Sequence, residues 1–349
     1  MKKILFISFL FLNIHFGYSQ CIMNCHQLLN QVIDLVEQTY PGYQTLNENS
    51  ELYKLHKNNL LEQSKLYPID SAIVLAERYV SFFDDYFLEI VPLYDQLPPS
   101  KPVKEKKNTT FVKLDDQTAL LKVVYFYTYS QDLSYTQLLS IPNLADTLKQ
   151  FTNLIIDLRD AQFSYGFNGY NELLSFLYTQ PFQNQQYEWF LSKPLIEKYS
   201  DRSGISVLEP IISSDSEPFQ YMKKHIGEYG NIENYTDTHI TYNQVFPTPQ
   251  KVVILINEQC KYDWEHFIYL AKQSKKVTLM GQSTYGAFDY IEPLEFMLST
   301  GKFYIKIPVA RSSRVPQYQL NGIGIQPDIY LQDSTTDWVK IAMQYLEKN

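Results

Sequence analysis

The feature that most constrains this chain is a short apolar run followed by a polar turn and an amphipathic helix. The run covers residues 252–256 and ends at Asn257, and apolar residues recur with helical spacing from Trp264 to Leu270. A strand that leads through a short turn into a helix exposes the central side chain of the turn, and the first free N–H groups of the helix point to the same place. The sequence therefore predicts a site at this turn. The residues of the turn are Cys260, Lys261, Tyr262 and Asp263, with no serine among them.

Length and charge narrow the classes of protein to which the chain can belong. Its 349 residues, 45% of them hydrophobic, are enough for one large domain or two ordinary ones with a sizeable core. The net charge of −8 at pH 7 provides no basic surface for phosphate groups. We therefore expect no nucleic acid partner. After the first apolar segment no stretch reaches the roughly 18 apolar residues of a transmembrane helix, so no transmembrane segment is expected.

The first residues have the pattern of a secretory signal. Lys2 and Lys3 precede an apolar core at 4–12, and small residues occur at Gly17 and Ser19. This pattern predicts a signal peptide over residues 1–19 and export to the periplasm or the exterior. The alternative is a lipoprotein acylated at Cys21, but the residue before that cysteine is glutamine rather than a small residue, so we favour cleavage without lipid attachment.

Three cysteines occur in a chain that is predicted to enter an oxidising compartment. Cys21, Cys25 and Cys260 could form one disulfide and leave one free thiol, and the sequence does not decide the pairing. No histidine or further cysteine stands at zinc-ligand spacing near the first two. The sequence therefore predicts no metal and no cofactor.

The order of helical and strand patterns predicts an α/β fold. Helical periodicity over 23–40, 50–66 and 71–83 predicts an N-terminal helical domain over 20–97. The segment 98–108, rich in Pro and Lys, is the predicted linker. Strand and helix patterns then alternate through a predicted domain at 109–335, which favours a partly parallel sheet, and a C-terminal helix follows at 336–349.

Four blocks in this order resemble a known family, the S41 serine peptidases, which include tail-specific or C-terminal processing proteases and tricorn-like members. The blocks are FFDDYFLEI at 82–90, NLIIDLRDAQFSYGFNGYNELLSFL at 153–177, the segment 252–290 with its GQSTYG piece, and NGIGIQPDIYL at 321–331. The resemblance implies a ClpP/crotonase-like sheet-and-helix core with the N-terminal helices as a cap. No segment resembles the PDZ domain that many members carry.

The resemblance also indicates where the reactive groups of the family are replaced. Asn257 and Glu265 fit the family pattern around the nucleophile, but the serine position falls on Tyr262. Members with a lysine base carry it at the position of Ala287, and tricorn-like members carry a histidine base at the position of Phe87. A hydroxyl nucleophile needs a base that takes its proton, and neither position supplies one.

The oxyanion loop departs from the family pattern in the same way. The family's Asp-Leu-Arg stretch is present at 157–159, but Ala161, Phe163 and Ser164 follow where the family has an asparagine and glycines. Loss of nucleophile or base costs roughly 10⁶ in kcat, and loss of an oxyanion donor costs about 10² to 10³. The resemblance therefore implies a catalytically degenerate member.

Our leading hypothesis from the sequence is a secreted pseudoprotease. It would bind a peptide, a protein tail or a small apolar ligand in the former active-site groove, whose predicted lining is Tyr262, Phe87, Phe163 and Tyr285. Two alternatives stay open. The chain could be an active peptidase with an unrecognised nucleophile, such as the thiol of Cys260, or a structural partner of an active relative. The sequence leaves the ligand and the oligomeric state undecided.

Overall fold

The computed structural model describes residues 24–46, 50–93, 109–124, 144–160, 170–201, 216–231, 238–332 and 337–348. The predicted signal peptide, Cys21 and the predicted linker at 98–108 lie outside these ranges, and the division into domains stays a prediction. Within the described ranges, no helix combines the length and apolar character that crossing a bilayer requires.

Helices and strands alternate along most of the described chain. The α-helices are α1 (Cys25–Thr39), α2 (Pro41–Thr45), α3 (Glu51–Ser64), α4 (Ala72–Val80), α5 (Leu144–Leu148), α6 (Asn171–Leu177), α7 (Lys193–Asp201), α8 (Glu217–Lys224), α9 (Asp263–Ala271) and α10 (Trp338–Lys348). Short 3₁₀ turns occur at Ile69–Ser71 and Ser81–Phe83. The strands are β1 (Glu89–Pro92), β2 (Thr110–Lys113), β3 (Thr118–Lys122), β4 (Asn153–Asp157), β5 (Phe182–Gln183), β6 (Tyr187–Phe190), β7 (Tyr229–Gly230), β8 (His239–Ile240), β9 (Lys251–Ile256), β10 (Val277–Gly281), β11 (Tyr290–Met297), β12 (Phe303–Ser312) and β13 (Ile329–Tyr330).

The central sheet has six strands in the order β13-β10-β9-β4-β3-β2. All neighbours are parallel except β2 and β3. In this register Ile156 of β4 lies opposite Ile254 of β9, which in turn lies opposite Leu279 of β10. The carboxyl ends of β4, β9 and β10 therefore meet at one edge of the sheet, where ligands of open α/β sheets usually bind.

Alternating residues of the central strands enter two separate cores. Leu154 and Ile156 of β4 pack with α6 and α9 on one face, whereas Ile155 packs with α10 on the other. Every residue of β4 is buried. A strand that is covered on both faces has an almost continuous run of apolar residues. The sequence therefore predicted β4 and β9 clearly.

A second sheet carries the N-terminal helices. Strand β12 pairs with β11 along most of its length and with β1 and β6 near its two ends, always antiparallel. The buried face of α1, with Leu28, Leu29 and Val32, shares one core with Ile305 and Ile307 of β12. The helical segment therefore covers this sheet instead of forming an isolated bundle.

Local signals fix the start of α1. Asn24 accepts a hydrogen bond from the backbone N–H of Gln27 at 2.9 Å, and the Gln27 side chain accepts one from the backbone N–H of Asn24 at 3.0 Å. This reciprocal capping satisfies two of the free N–H groups at the helix start. The helix ends at Thr39, and Pro41 starts the next short helix.

The structure confirms the predicted fold class and adds elements that the sequence pattern did not indicate. The chain is an α/β protein with a largely parallel sheet, and no PDZ-like domain is evident among the described residues. Strand β12 runs from Phe303 to Ser312, and its partner β11 was not indicated by the sequence. Polar residues such as Glu292 and Glu295 interrupt the apolar period of β11, so its pairing with β12 decides its conformation.

Candidate functional site

The turn between β9 and α9 places Tyr262 at the N-cap position, directly before the helix, in a strained conformation. Its backbone has φ 49° and ψ −102°, a combination that is rare for a residue with a side chain. The Tyr262 N–H donates to Oε2 of Glu265, three residues into the helix, at 3.1 Å. The strained backbone is therefore held by a specific hydrogen bond at the start of α9.

Glu265 ties this helix start to the loop after β10. Its Oε1 accepts from the Thr284 hydroxyl at 2.6 Å and the Gly286 N–H at 2.7 Å. Its Oε2 accepts from the Ala287 N–H at 2.7 Å and the Tyr262 N–H. The residue is fully buried, and desolvation raises the pKa of its carboxyl, although the four donors oppose this shift.

Two glycines allow the GQSTYG loop at 281–286 to pack against the GIQPDI loop at 324–329. Gly286 has φ 87°, and a Cβ there would lie 2.5 Å from the carbonyl oxygen of Leu320. Gly324 has φ 73°, and a Cβ there would overlap the carbonyl oxygen of Thr284. The two loops therefore pack backbone against backbone, which only glycine allows at these positions.

Four aromatic side chains form a continuous row beside the turn. The Phe87 and Tyr262 rings meet edge to face, with centroids 4.9 Å apart. Tyr86 contacts Phe87 at 5.1 Å and Tyr285 at 5.4 Å. We call these four residues the aromatic row. It runs from Tyr262 through the buried Phe87 and then Tyr86 to Tyr285, which is 38% exposed.

A partly buried carboxyl supports the segment that carries Tyr86 and Phe87. Asp85 accepts hydrogen bonds from the Tyr40 hydroxyl at 2.6 Å, the Phe87 N–H at 2.8 Å and the Asn321 amide at 3.2 Å. Desolvation outweighs these donors and raises the pKa of Asp85 to about 6. The aromatic row is thus anchored from both the N-terminal helices and the loop at 321.

Backbone strain is concentrated at this site. Among the described residues, the non-glycine residues with positive φ are Asp84, Tyr262 and Glu292, at 48°, 49° and 58°. Asp84 directly precedes Asp85, and the charge of Glu292 lies close enough to raise the pKa of Tyr262. Strained residues of this kind persist where the surrounding structure over-determines them, and they cluster at functional sites.

Three ionisable groups near the turn, Tyr262, Cys260 and His266, are poor nucleophiles and bases. Burial raises the pKa of the Tyr262 phenol well above its ordinary value. Cys260 is fully buried, its thiol contacts the Leu158 carbonyl oxygen at 3.5 Å, and burial raises its pKa as well. His266 is held by Tyr170 and Asn184, and burial lowers its pKa to about 3.

The structure brings together most of the residues assigned from the sequence. Tyr262 and Phe87 are in contact, Tyr285 ends the same row, and the backbone of Ala287 shares an oxygen of Glu265 with Tyr262. The predicted oxyanion loop residues Ala161, Phe163 and Ser164 lie outside the described residues. Asp157 and Arg159, just before that loop, form a bidentate ion pair with distances of 2.7 and 2.8 Å.

Tyr86 and Glu292 belong to the site without having been indicated by the sequence, and Lys261 was named only as a residue of the turn. Tyr86 and Lys261 stand directly beside assigned positions, so the resemblance could have indicated their place in the site. Glu292 had no such signal because β11 was not predicted. Cys25 and Cys260 are both free and buried, and Cys21 lies outside the described residues.

No other described feature competes with this turn as a site for chemistry. A surface cavity of about 460 Å³ lies elsewhere, lined mainly by amide side chains of α1 such as Gln27, Asn30 and Gln31. Within the ranges that the structure describes, no three His, Cys, Asp or Glu side chains are grouped as a metal would need. The cavity has a single acid, Asp34, and the hydroxyl of its serine, Ser299, donates to the Gln31 side chain.

Comparisons with known proteins agree with the arrangement of strands and loops. Residues 197–331 match the family model described as peptidase family S41. The fold is similar to that of mature CPAF complexed with lactacystin, at 12% identity and a TM-score of 0.63, over 93% of this chain and 97% of that one. It is also similar to a putative peptidase from Parabacteroides merdae, at 11% identity and a TM-score of 0.58, over 93% and 97% of the two chains. No curated protein matches the sequence.

Proposed function

We propose that this chain, which belongs to peptidase family S41, is an exported protein without peptidase activity that binds a peptide or protein tail over the aromatic row. One observation carries the proposal. The positions that the family resemblance assigns to nucleophile and base are Tyr262 and Phe87, and their rings pack edge to face at 4.9 Å. Two aromatic rings thus occupy the positions where a hydroxyl and its base would have to meet.

The chemistry of proton transfer supports the proposed loss of activity. A hydroxyl nucleophile reacts only when a neighbouring group takes its proton, and a phenyl ring cannot do so. Burial makes the Tyr262 phenol harder to ionise, and the Glu265 carboxylate, which holds the Tyr262 N–H, already accepts four hydrogen bonds. Among the described residues, the turn before α9 therefore lacks the pairing of groups that acyl transfer needs.

The aromatic row supports a binding role. Tyr and Phe side chains supply large rigid surfaces at a low cost in conformational entropy, and a tyrosine also offers a hydroxyl. Tyr285, 38% exposed, gives a ligand access to one end of the row. A peptide matches this surface because it presents apolar side chains and a polar backbone together. Export is supported by the pattern of the first 19 residues.

Chemical probes test the loss of activity. We expect the purified protein to show no stoichiometric labelling by a fluorophosphonate or by iodoacetamide under native conditions, and no cleavage of a casein substrate. An active S41 peptidase treated in parallel checks the reagents. Labelling that reaches one equivalent and is blocked by peptide would overturn the proposal in favour of an active peptidase.

Binding is tested separately with variants of exposed tyrosines. A pool of dye-labelled decapeptides should bind saturably in fluorescence anisotropy, and Tyr285→Ala should weaken binding by about 5- to 30-fold, as expected for the loss of one aromatic contact. Tyr67→Ala is the matched control, because Tyr67 is also exposed, at 50%, and belongs to another segment. Equal binding by wild type and Tyr285→Ala would contradict the assignment of the aromatic row as the binding surface.

Export is tested at the N-terminus of the protein. Expression with the native leader in a bacterial host should release a mature protein that begins near residue 20. Recovery of the uncleaved chain from the cytoplasm alone would contradict export and leave the binding proposal unaffected.

A further inference from the structure

Lys261 lies at the exposed end of the aromatic row, between two of its rings. Its ammonium nitrogen is 4.1 Å from the centroid of the Tyr285 ring and 4.9 Å from that of Tyr86. These two rings are themselves in edge contact at 5.4 Å. The charge therefore has a defined position next to Tyr262 instead of extending freely into solvent, because ring faces attract a cation at these distances.

The position of Lys261 differs from that of other cations near the site. Lys272 pairs with Asp328, and Arg159 pairs with Asp157. In the part of the chain that the structure describes, no carboxylate forms an ion pair with Lys261. The two rings satisfy the ammonium group through their faces and do not neutralise it. Its charge is available to a ligand.

We propose that Lys261, held between Tyr86 and Tyr285, binds a carboxylate of the peptide that lies over the aromatic row. This inference rests on the proposed function, since it names the chemistry that the same surface recognises. A carboxylate suits the site because it carries the opposite charge and accepts hydrogen bonds from the ammonium protons. The adjacent rings exclude water from part of the contact, which strengthens the attraction between the charges.

Asp84 is the charged neighbour that opposes anion binding. Burial raises the pKa of the Tyr285 phenol, and the charges of Asp84 and Asp85 raise it further, so both carboxyl groups act on the same end of the row. Asp85 is engaged by Tyr40, Phe87 and Asn321, whereas Asp84 is exposed. Removal of the Asp84 charge should therefore strengthen binding of a carboxylate, in the opposite direction to removal of the Lys261 charge.

Three peptide pools separate the two possible sources of the carboxylate. Each pool consists of decapeptides of uncharged residues with a neutral dye on the N-terminus. The first pool ends in a free acid, the second ends in an amide, and the third ends in an amide and carries one internal glutamate. Dissociation constants are measured by fluorescence anisotropy at low and high salt for the wild type, Lys261→Met and Asp84→Asn. Asparagine is chosen at 84 because it tolerates the positive φ of 48° at this position.

We expect the wild type to bind one carboxylate-bearing pool about tenfold more tightly than the neutral pool, in keeping with a partly buried charge-assisted hydrogen bond. Lys261→Met should abolish this preference, and Asp84→Asn should increase it. A preference for the free acid identifies a chain terminus, and a preference for the glutamate pool identifies a side chain.

The failures of the inference and of the proposed function can be distinguished. Equal binding of all three pools by the wild type would overturn the carboxylate site and leave peptide binding intact. A preference that persists in Lys261→Met would also overturn it. Absence of binding for every pool would overturn the proposed function, and this inference with it.

Discussion

Replacement of Glu265 by glutamine is the sharpest test of how the site is held together. The carboxylate accepts from Thr284, Gly286, Ala287 and Tyr262, and it links the start of α9 to the loop after β10. A glutamine has one oxygen for these donors and places an NH₂ group where the second oxygen was. In the better of its two amide orientations, the glutamine NH₂ group points toward the Thr284 hydroxyl, which can accept a hydrogen bond. The Gly286 N–H then faces this NH₂ group, which is another donor.

The expected loss of stability follows from this orientation of the glutamine amide. One buried N–H without an acceptor costs about 1–3 kcal/mol, and the loss of charge from the remaining hydrogen bonds adds about 1 kcal/mol. We therefore expect Glu265→Gln to lower the free energy of unfolding by about 2–4 kcal/mol. The measurement is guanidinium unfolding followed by tryptophan fluorescence, which reports on Trp264 at the helix start.

A matched control and a coupling measurement make this prediction decisive. Glu258→Gln changes an exposed carboxylate in the same turn, whose contact is the Gln259 side chain at 3.5 Å, and should alter stability by less than about 0.5 kcal/mol. Thr284→Val should be non-additive with Glu265→Gln, because both changes alter the same contact between the two side chains. A Glu265→Gln protein as stable as the Glu258→Gln control would refute the described role of the carboxylate.

Three titration and reactivity predictions concern other buried groups. Because burial raises the pKa of Asp85 from 3.8 to about 6, the native state holds a proton that the unfolded chain has lost, so stability should fall as pH rises from about 4 to 6, by at most about 3 kcal/mol. Unfolding curves across this range should show the fall, and a flat profile would contradict it. Because burial lowers the pKa of His266 to about 3, its ring signals in NMR should not titrate between pH 5 and 8. The Cys260 thiol should react with iodoacetamide at least about 100-fold faster in guanidinium than in native buffer, and equal rates would show that it is accessible.

The sequence predicted the scaffold of the site well because its signals are local or repeated. The apolar run of β9, the helical spacing of α9 and the four family blocks identified the turn and both contacting rings, Tyr262 and Phe87. A strand buried on both faces has few alternatives, so its pattern is reliable. The resemblance placed Phe87 opposite Tyr262 although 174 residues separate them, which no local pattern indicates.

The rest of the site depends on contacts between distant segments. Glu292 belongs to β11, whose pairing with β12 is set by the partner strand instead of by its own apolar period. The four donors to Glu265 come from two segments about 20 residues apart, and their convergence requires the positive φ of Gly286. The Lys261 contacts likewise join residues 86, 261 and 285. A single sequence contains each residue but not its neighbours in space.

The strained backbone of Tyr262 yields a last prediction that separates side-chain packing from conformation. For a residue with a side chain, a backbone conformation of φ 49° and ψ −102° costs about 1–3 kcal/mol of folding free energy. The hydrogen bond from the Tyr262 N–H to Glu265 helps to hold this conformation. Tyr262→Ala and Tyr262→Gly both remove the contact with Phe87, so that loss cancels when the two variants are compared. Glycine relieves the strain, although it also gains entropy in the unfolded chain. We therefore expect Tyr262→Gly to be more stable than Tyr262→Ala by about 1 kcal/mol in guanidinium unfolding, the reverse of the order at an ordinary helical position. An alanine variant that is equally stable or more stable would show that the turn relaxes without the ring, and that the tyrosine itself imposes the strain through its packing on Phe87.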